Sequence, residues 1–169
     1  MLNKYFFSLW ILLLPIITLG QEQGTKLQAF HNLMDGKWVT EGKWENGTPF
    51  KQEMTFEWGL GKTLVKVKTF GITNMETKSF GLRNEGIRTW SKTDSTIRFW
   101  EFDVFGGITE GVCLVEGKDI HYEYEYGKER LRESWVYKDL NTYQYRIGVY
   151  KKGKWQKVYM DAVYRRESI

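Results

Sequence analysis

The sequence predicts an all-β chain, a single antiparallel up-and-down β-barrel of about 8–10 strands with a short N-terminal helix. Three observations carry that prediction. The first is alternation: in Gly36–Trp44 the residues Trp38, Thr40, Gly42 and Trp44 share one face and Lys37, Val39, Glu41 and Lys43 the other, the pattern of a strand with one wet side. The second is spacing, because similar segments recur at roughly 8–12 residues with turn residues between them. The third is the lack of any long helical period after residue 36, which leaves no room for the crossovers a parallel sheet needs.

In chain order, residues 1–20 read as a secretory signal peptide. Lys4 gives a positive start, residues 5–19 are nearly all apolar, and Thr18 and Gly20 are small residues placed for cleavage before Gln21. The alternative is a membrane anchor. The apolar run is short for a span, which takes about 20 residues, and no stop-transfer charges follow it. The rest, residues 21–169, is expected to be one domain of roughly 150 residues, exported to the periplasm or secreted, with no membrane span after cleavage. The only cysteine, Cys113, lies between Val112 and Leu114 in a strand-like run, so it is expected to be a small buried residue and cannot form an internal disulfide.

Thr25–Met34 is the one helical candidate, with Leu27, Phe30, Leu33 and Met34 on one face and Asp35-Gly36 to end it. Asn46-Gly47 closes the first hairpin. Phe50, Gln52, Met54, Phe56 and Trp58 alternate along the second strand. Lys78–Arg83 and Gly86–Ser91 read as two strands joined by a turn at Asn84-Glu85-Gly86. Further on, Arg98, Trp100, Phe102 and Val104 are assigned to one face, Ile120, Tyr122, Tyr124 and Tyr126 to another, and Leu131, Glu133, Trp135 and Tyr137 to a third. Trp155, Tyr159 and Val163 align in the last strand.

Gly36-x-Trp38 at the start of the first strand, after a short helix and before a meander, resembles the calycin group: lipocalins, fatty-acid-binding proteins and nitrobindin-like barrels. Leu33-Met34-Asp35-Gly36-Lys37-Trp38 and Trp58-Gly59-Leu60-Gly61 are most similar to small exported bacterial lipocalin-like domains. The resemblance covers about residues 25–166 and implies that Arg165 or Arg166 from the last strand packs over Trp38. It departs from nitrobindin-like proteins in having no late histidine to hold haem, so no cofactor is expected.

Motifs for other chemistries fail on their own terms. Gly61-Lys62-Thr63 has the tail of a phosphate-binding loop but lacks the earlier glycine, and Asn46-Gly47-Thr48 fits a glycosylation sequon but reads better as a turn. His31, His121 and Cys113 have no metal-ligand spacing, and His121 alternates with Glu123 and Glu125 on an expected wet face. No serine sits on a nucleophile elbow. A net charge of +4 is spread along the strands rather than gathered in a patch, which argues against nucleic acid.

An aromatic content of 17% points to a thick aromatic core or an aromatic-lined cavity. The polar residues expected among these aromatics are Arg98, Glu133 and Gln52, beside Trp100, Phe56, Tyr122, Tyr124, Trp135 and Tyr145. In a filled barrel Arg98 would pair with Glu133. In a hollow one the same groups would orient a small hydrophobic or amphipathic ligand, with Arg98 holding an anionic head. An enzyme on the same barrel, using Arg98, Glu133 and a tyrosine, and a structural or interaction module of the cell envelope with a filled interior are the alternatives.

Overall fold

Alternation and tight turns build a closed meander. The computed structural model describes residues 26–167, so the expected leader lies outside the described residues. Ten strands follow one another: β1 (Lys37–Lys43), β2 (Pro49–Gly59), β3 (Leu64–Ile72), β4 (Phe80–Ser91), β5 (Thr96–Asp103), β6 (Ile108–Glu116), β7 (Asp119–Tyr126), β8 (Glu129–Asp139), β9 (Thr142–Lys151) and β10 (Lys154–Glu167). Each pairs antiparallel with its sequence neighbours, and β1 pairs with β10 through Trp38 opposite Arg166, which closes the barrel. This arrangement is compatible with a calycin-like fold. Among the described residues no helix is long and apolar enough to cross a membrane.

The expected helix over Thr25–Met34 is instead a 3-10 helix, Gln28–Leu33. Its apolar side chains do face one way: Leu27, Phe30, Leu33 and Met34 are all buried. Asp35, at φ 56, turns the chain out of this segment and into β1. The segment plugs one end of the barrel. Trp38, fully buried, donates its indole N–H to the Leu33 carbonyl at 3.0 Å. The Arg166 guanidinium lies 4.8 Å from the centre of the Trp38 ring and donates to the carbonyls of Met34 and Asn32. Gly36 makes room for it, since a Cβ there would stand 3.1 Å from Arg166 Cγ. Arg165 is exposed on the outer face.

Above the plug lies a solid layer of rings. Trp135 stacks on Tyr164 at 4.5 Å and meets Phe56 and Tyr145 edge-on at 5.7 and 5.4 Å, and Tyr143 meets Trp38 edge-on at 5.2 Å. Such pairs add about 0.5–1.5 kcal/mol each beyond the area they bury. Part of the aromatic excess of the sequence is gathered in this layer.

Four expectations are corrected. Asn84-Glu85-Gly86 is not a turn: β4 runs unbroken through it, and Gly86 serves a close approach instead, as a Cβ there would lie 2.6 Å from both Arg88 Nη1 and the Trp100 carbonyl. β5 is turned the other way. Ile97 and Phe99 are buried and Glu101 faces inward, while Phe102 is half-exposed on the outside with Arg98 and Trp100. Both faces of β5 carry large apolar residues, so its own pattern does not choose between them. In β10, register shifts near Lys157 and Val158 break the expected alignment of Trp155, Tyr159 and Val163, and beyond them Met160, Ala162 and Tyr164 point inward. Finally His121, expected on a wet face, is buried, with Nδ1 2.8 Å from Ser134 Oγ across the β7–β8 pair.

Candidate functional site

The barrel's other half is hollow. A cavity of about 550 Å³ opens at the end opposite the plug, where β1 finishes and β2 begins. Tyr126, Glu129 and Tyr159 stand at its mouth, and Met54, Leu131, Ile147 and Met160 form its apolar walls. Two strand irregularities help to shape it. Between Thr69–Asn84 and Phe70–Leu82 the β3–β4 register slips by one residue, so that consecutive residues Arg83 and Asn84 both line the cavity. The shift in β10 does the same for Tyr159 and Met160. Bulges re-aim side chains in this way and gather next to functional sites.

The polar groups of the cavity come from strands all round the barrel. Glu133 on β8 accepts the Tyr124 hydroxyl of β7 at 2.8 Å, and the Tyr145 hydroxyl of β9 is also in hydrogen-bonding contact with it. Gln52 on β2 accepts the Tyr164 hydroxyl at 2.8 Å. Glu101 on β5 is paired with Arg88 of β4. Arg88 is almost wholly buried, and its Nε also points at the Tyr122 oxygen at 3.3 Å. The same guanidinium lies 5.0 Å from the centre of the Tyr122 ring.

Burial sets the titration of these groups. Glu133 is pushed up to about 7, first by loss of water and then by the negative charge of Glu101. The tyrosine hydroxyls and Arg88 only partly offset this. Burial works against the charge on Arg88, yet the oxygens of Tyr122 and Glu101 outweigh it and hold Arg88 firmly protonated. Burial and the nearby Glu133 carboxylate raise Tyr124 and Tyr145 far above the usual phenol range, so both act as donors. Burial also drives the Cys113 thiol up to about 12, which leaves it an unreactive core residue.

Of the residues singled out in the sequence, Glu133, Gln52, Tyr124 and Tyr145 line the cavity. Phe56 and Trp135 lie beneath it in the ring layer, and Tyr122 lies against Arg88. Arg98 and Trp100 do not face the interior. Arg98 sits on the outer surface 3.6 Å from Asp94, and Trp100 donates its indole N–H to Glu110 at 2.8 Å. An Arg98–Glu133 pair is therefore absent, and the buried arginine is Arg88.

Sequence reasoning missed Arg88, Glu101, Arg83 and Asn84. One signal could have found the first two. If Lys92-Thr93-Asp94-Ser95 is taken as the hairpin turn, Ser91 faces Thr96 and Arg88 faces Phe99. Arg88 and Glu101 then share a face, an opposite-charge diagonal pair beside Phe99. No such signal marks the bulge at Arg83. Among the described residues no group of three or more His, Cys, Asp or Glu side chains could hold a metal ion.

Chemically, the arrangement offers an apolar wall and a set of hydrogen-bond acceptors at the depth where a bound molecule would end. No protein-family model matches this chain, and no curated protein matches it at a significant level.

Proposed function

We propose that this is an exported lipocalin-like protein that binds one small hydrophobic or amphipathic molecule in the open half of its barrel. The observation that carries the reading is the cavity itself. At about 550 Å³ it falls within the range of roughly 300–1,000 Å³ typical of small-molecule sites, and it combines apolar walls with a few convergent polar groups. The ring layer and the plug support the reading from below, because they supply stability without filling the upper half. Export rests on the leader-like residues 1–20 and is tested by intact mass: the exported protein should begin at Gln21, and retention of residues 1–20 would contradict it.

Binding is tested with N-phenyl-1-naphthylamine, a neutral dye that brightens in apolar surroundings. Saturable enhancement with one dye per chain and a micromolar Kd is expected. Thr109, half-buried on β6 opposite Glu101, lines the cavity. A Thr109→Trp side chain should occupy that space and weaken dye binding by about tenfold or more. A parent protein that gives no saturable enhancement would overturn the reading.

A further inference from the structure

We propose that the cavity selects amphipathic molecules with a cationic amine head, and that Glu133 is the group that receives the ammonium. This rests on the binding function proposed above and deepens it. Five charged side chains line the cavity, four carboxylates (Glu101, Asp103, Glu129 and Glu133) and one arginine, Arg83. The arginine is engaged at the rim. It donates to the Ile72 carbonyl at 3.2 Å, and its guanidinium lies 5.2 Å from the centre of the Phe105 ring. Arg88, deeper in, is paired with Glu101 and Tyr122; its buried Nη1 has no hydrogen-bond partner among the described residues but lies over Gly86 and does not line the cavity. An anionic head would meet four carboxylates in the lining against one arginine.

Three of the four carboxylates already have uses. Glu101 holds Arg88, Asp103 accepts the backbone N–H groups of Phe105 and Gly107, and Glu129 accepts the Tyr159 hydroxyl. Glu133 has only tyrosine hydroxyls and no cation of its own. It lies at the floor of the apolar walls, so an alkyl chain running toward the mouth would leave its head here. Asn84 adds a second acceptor: its buried Oδ1 has no hydrogen-bond partner among the described residues. The tyrosine hydroxyls do not compete, because Tyr124 and Tyr145 turn their protons toward Glu133 and Tyr164 turns its proton toward Gln52. Among the residues that line the depth of the cavity no cation faces Glu133 or Asn84, and an ammonium group supplies both charge and donors.

In the empty barrel Glu133 faces Glu101 of β5, Arg88 of β4, Tyr124 of β7, Tyr145 of β9 and Tyr164 of β10, and at neutral pH it is partly protonated. An arriving alkylammonium keeps its own proton, and the carboxylic acid of Glu133 loses its proton to solvent as the ion pair forms. Affinity therefore rises with pH below neutrality and levels off above it. From pH 6 to pH 8 the gain is about tenfold for a group titrating near 7.

The experiment displaces N-phenyl-1-naphthylamine with decylamine, decanoic acid and 1-decanol, and repeats the series at pH 6 and pH 8. Decylamine should compete at least tenfold better than decanoate at pH 8, and its advantage over decanol should shrink at pH 6. Calorimetry of decylamine binding in two buffers of different ionisation enthalpy should show nearly one proton released at pH 6 and little at pH 8. In Glu133→Gln, checked for cooperative unfolding, the ratio of decylamine to decanol affinity should fall toward one and lose its pH dependence. Decanoate competing as well as decylamine, or decylamine binding without proton release at pH 6, would overturn the amine proposal and leave the binding function standing. A dye that never binds would overturn both.

Discussion

Two arginines of the barrel lie against aromatic rings, one at the plug and one below the cavity, and they are used in opposite ways. At the plug, Arg166 lies on Trp38 and donates to main-chain carbonyls of the 3-10 segment. Its partners are neutral and fixed, and the space around it is filled. Below the cavity, Arg88 lies on Tyr122 and Phe99 and pairs with Glu101, whose charge bears on a second carboxyl, Glu133, beside open volume. Similar parts give a lock where the arginine donates to fixed carbonyls and a candidate site where one carboxyl is left without a cation. The filled plug and the proposed binding cavity are thus separated along the barrel axis, with the ring layer of Trp135, Tyr143 and Tyr164 between them.

That separation can be broken at either end. The largest effect is expected at the plug: Trp38→Ala removes a fully buried indole and should cost about 3–5 kcal/mol in urea unfolding. A variant as stable as the parent would remove Trp38 from its organising role. Next comes Glu133→Gln, which should stabilise the protein. The native carboxyl titrates near 7 against about 4.5 when unfolded, so the folded state holds the extra proton between these values. The stability of the native carboxyl is thus full below about pH 4.5 and falls as pH rises through 7. The glutamine variant should gain up to about 3 kcal/mol over the parent at pH 8 and much less at pH 5. An equal difference at both pH values would mean that Glu133 ionises as an ordinary surface carboxyl does.

Smaller effects sharpen the contrast. Arg166→Met keeps some packing on Trp38 but leaves the Asn32 and Met34 carbonyls without their donor, at a cost of about 2 kcal/mol in unfolding free energy. Arg98→Ala should change stability by no more than about 0.5 kcal/mol and leave the Kd of the neutral dye unchanged, because Arg98 lies outside with only Asp94 beside it. A clear loss of dye binding in Arg98→Ala would mean that β5 faces the other way.

The sequence made the barrel readable because most strands alternate cleanly and their turns are short. Leu131, Glu133, Trp135 and Tyr137 on β8, and Gln52, Met54 and Phe56 on β2, fall where alternation puts them. The site was less readable for two physical reasons. On β5, Ile97 and Phe99 oppose Trp100 and Phe102, so a strand with apolar residues on both faces gives no preference, and one wrong parity exchanged Glu101 for Arg98. Elsewhere the cavity depends on bulges, at Arg83 and before Met160, which interrupt the period that alternation relies on. The helical period of residues 25–34 did identify buried side chains. The missing information was the tighter backbone, since four apolar residues at that spacing fit a 3-10 plug as well as an α-helix.

Methionine methyl resonances test the division of the barrel most directly, because the described methionines report on its different parts. Met54 and Met160 line the cavity, Met34 is buried in the plug, and Met75 is exposed on the β3–β4 loop. In protein labelled at the methionine methyl carbons, saturating 1-decanol should shift the Met54 and Met160 signals together, with one ligand per chain, and leave Met34 and Met75 in place. Shifts at Met34 equal to those at Met54, or no shift at Met54 and Met160 at the solubility limit of the alcohol, would contradict a hollow upper half standing on a solid lower one.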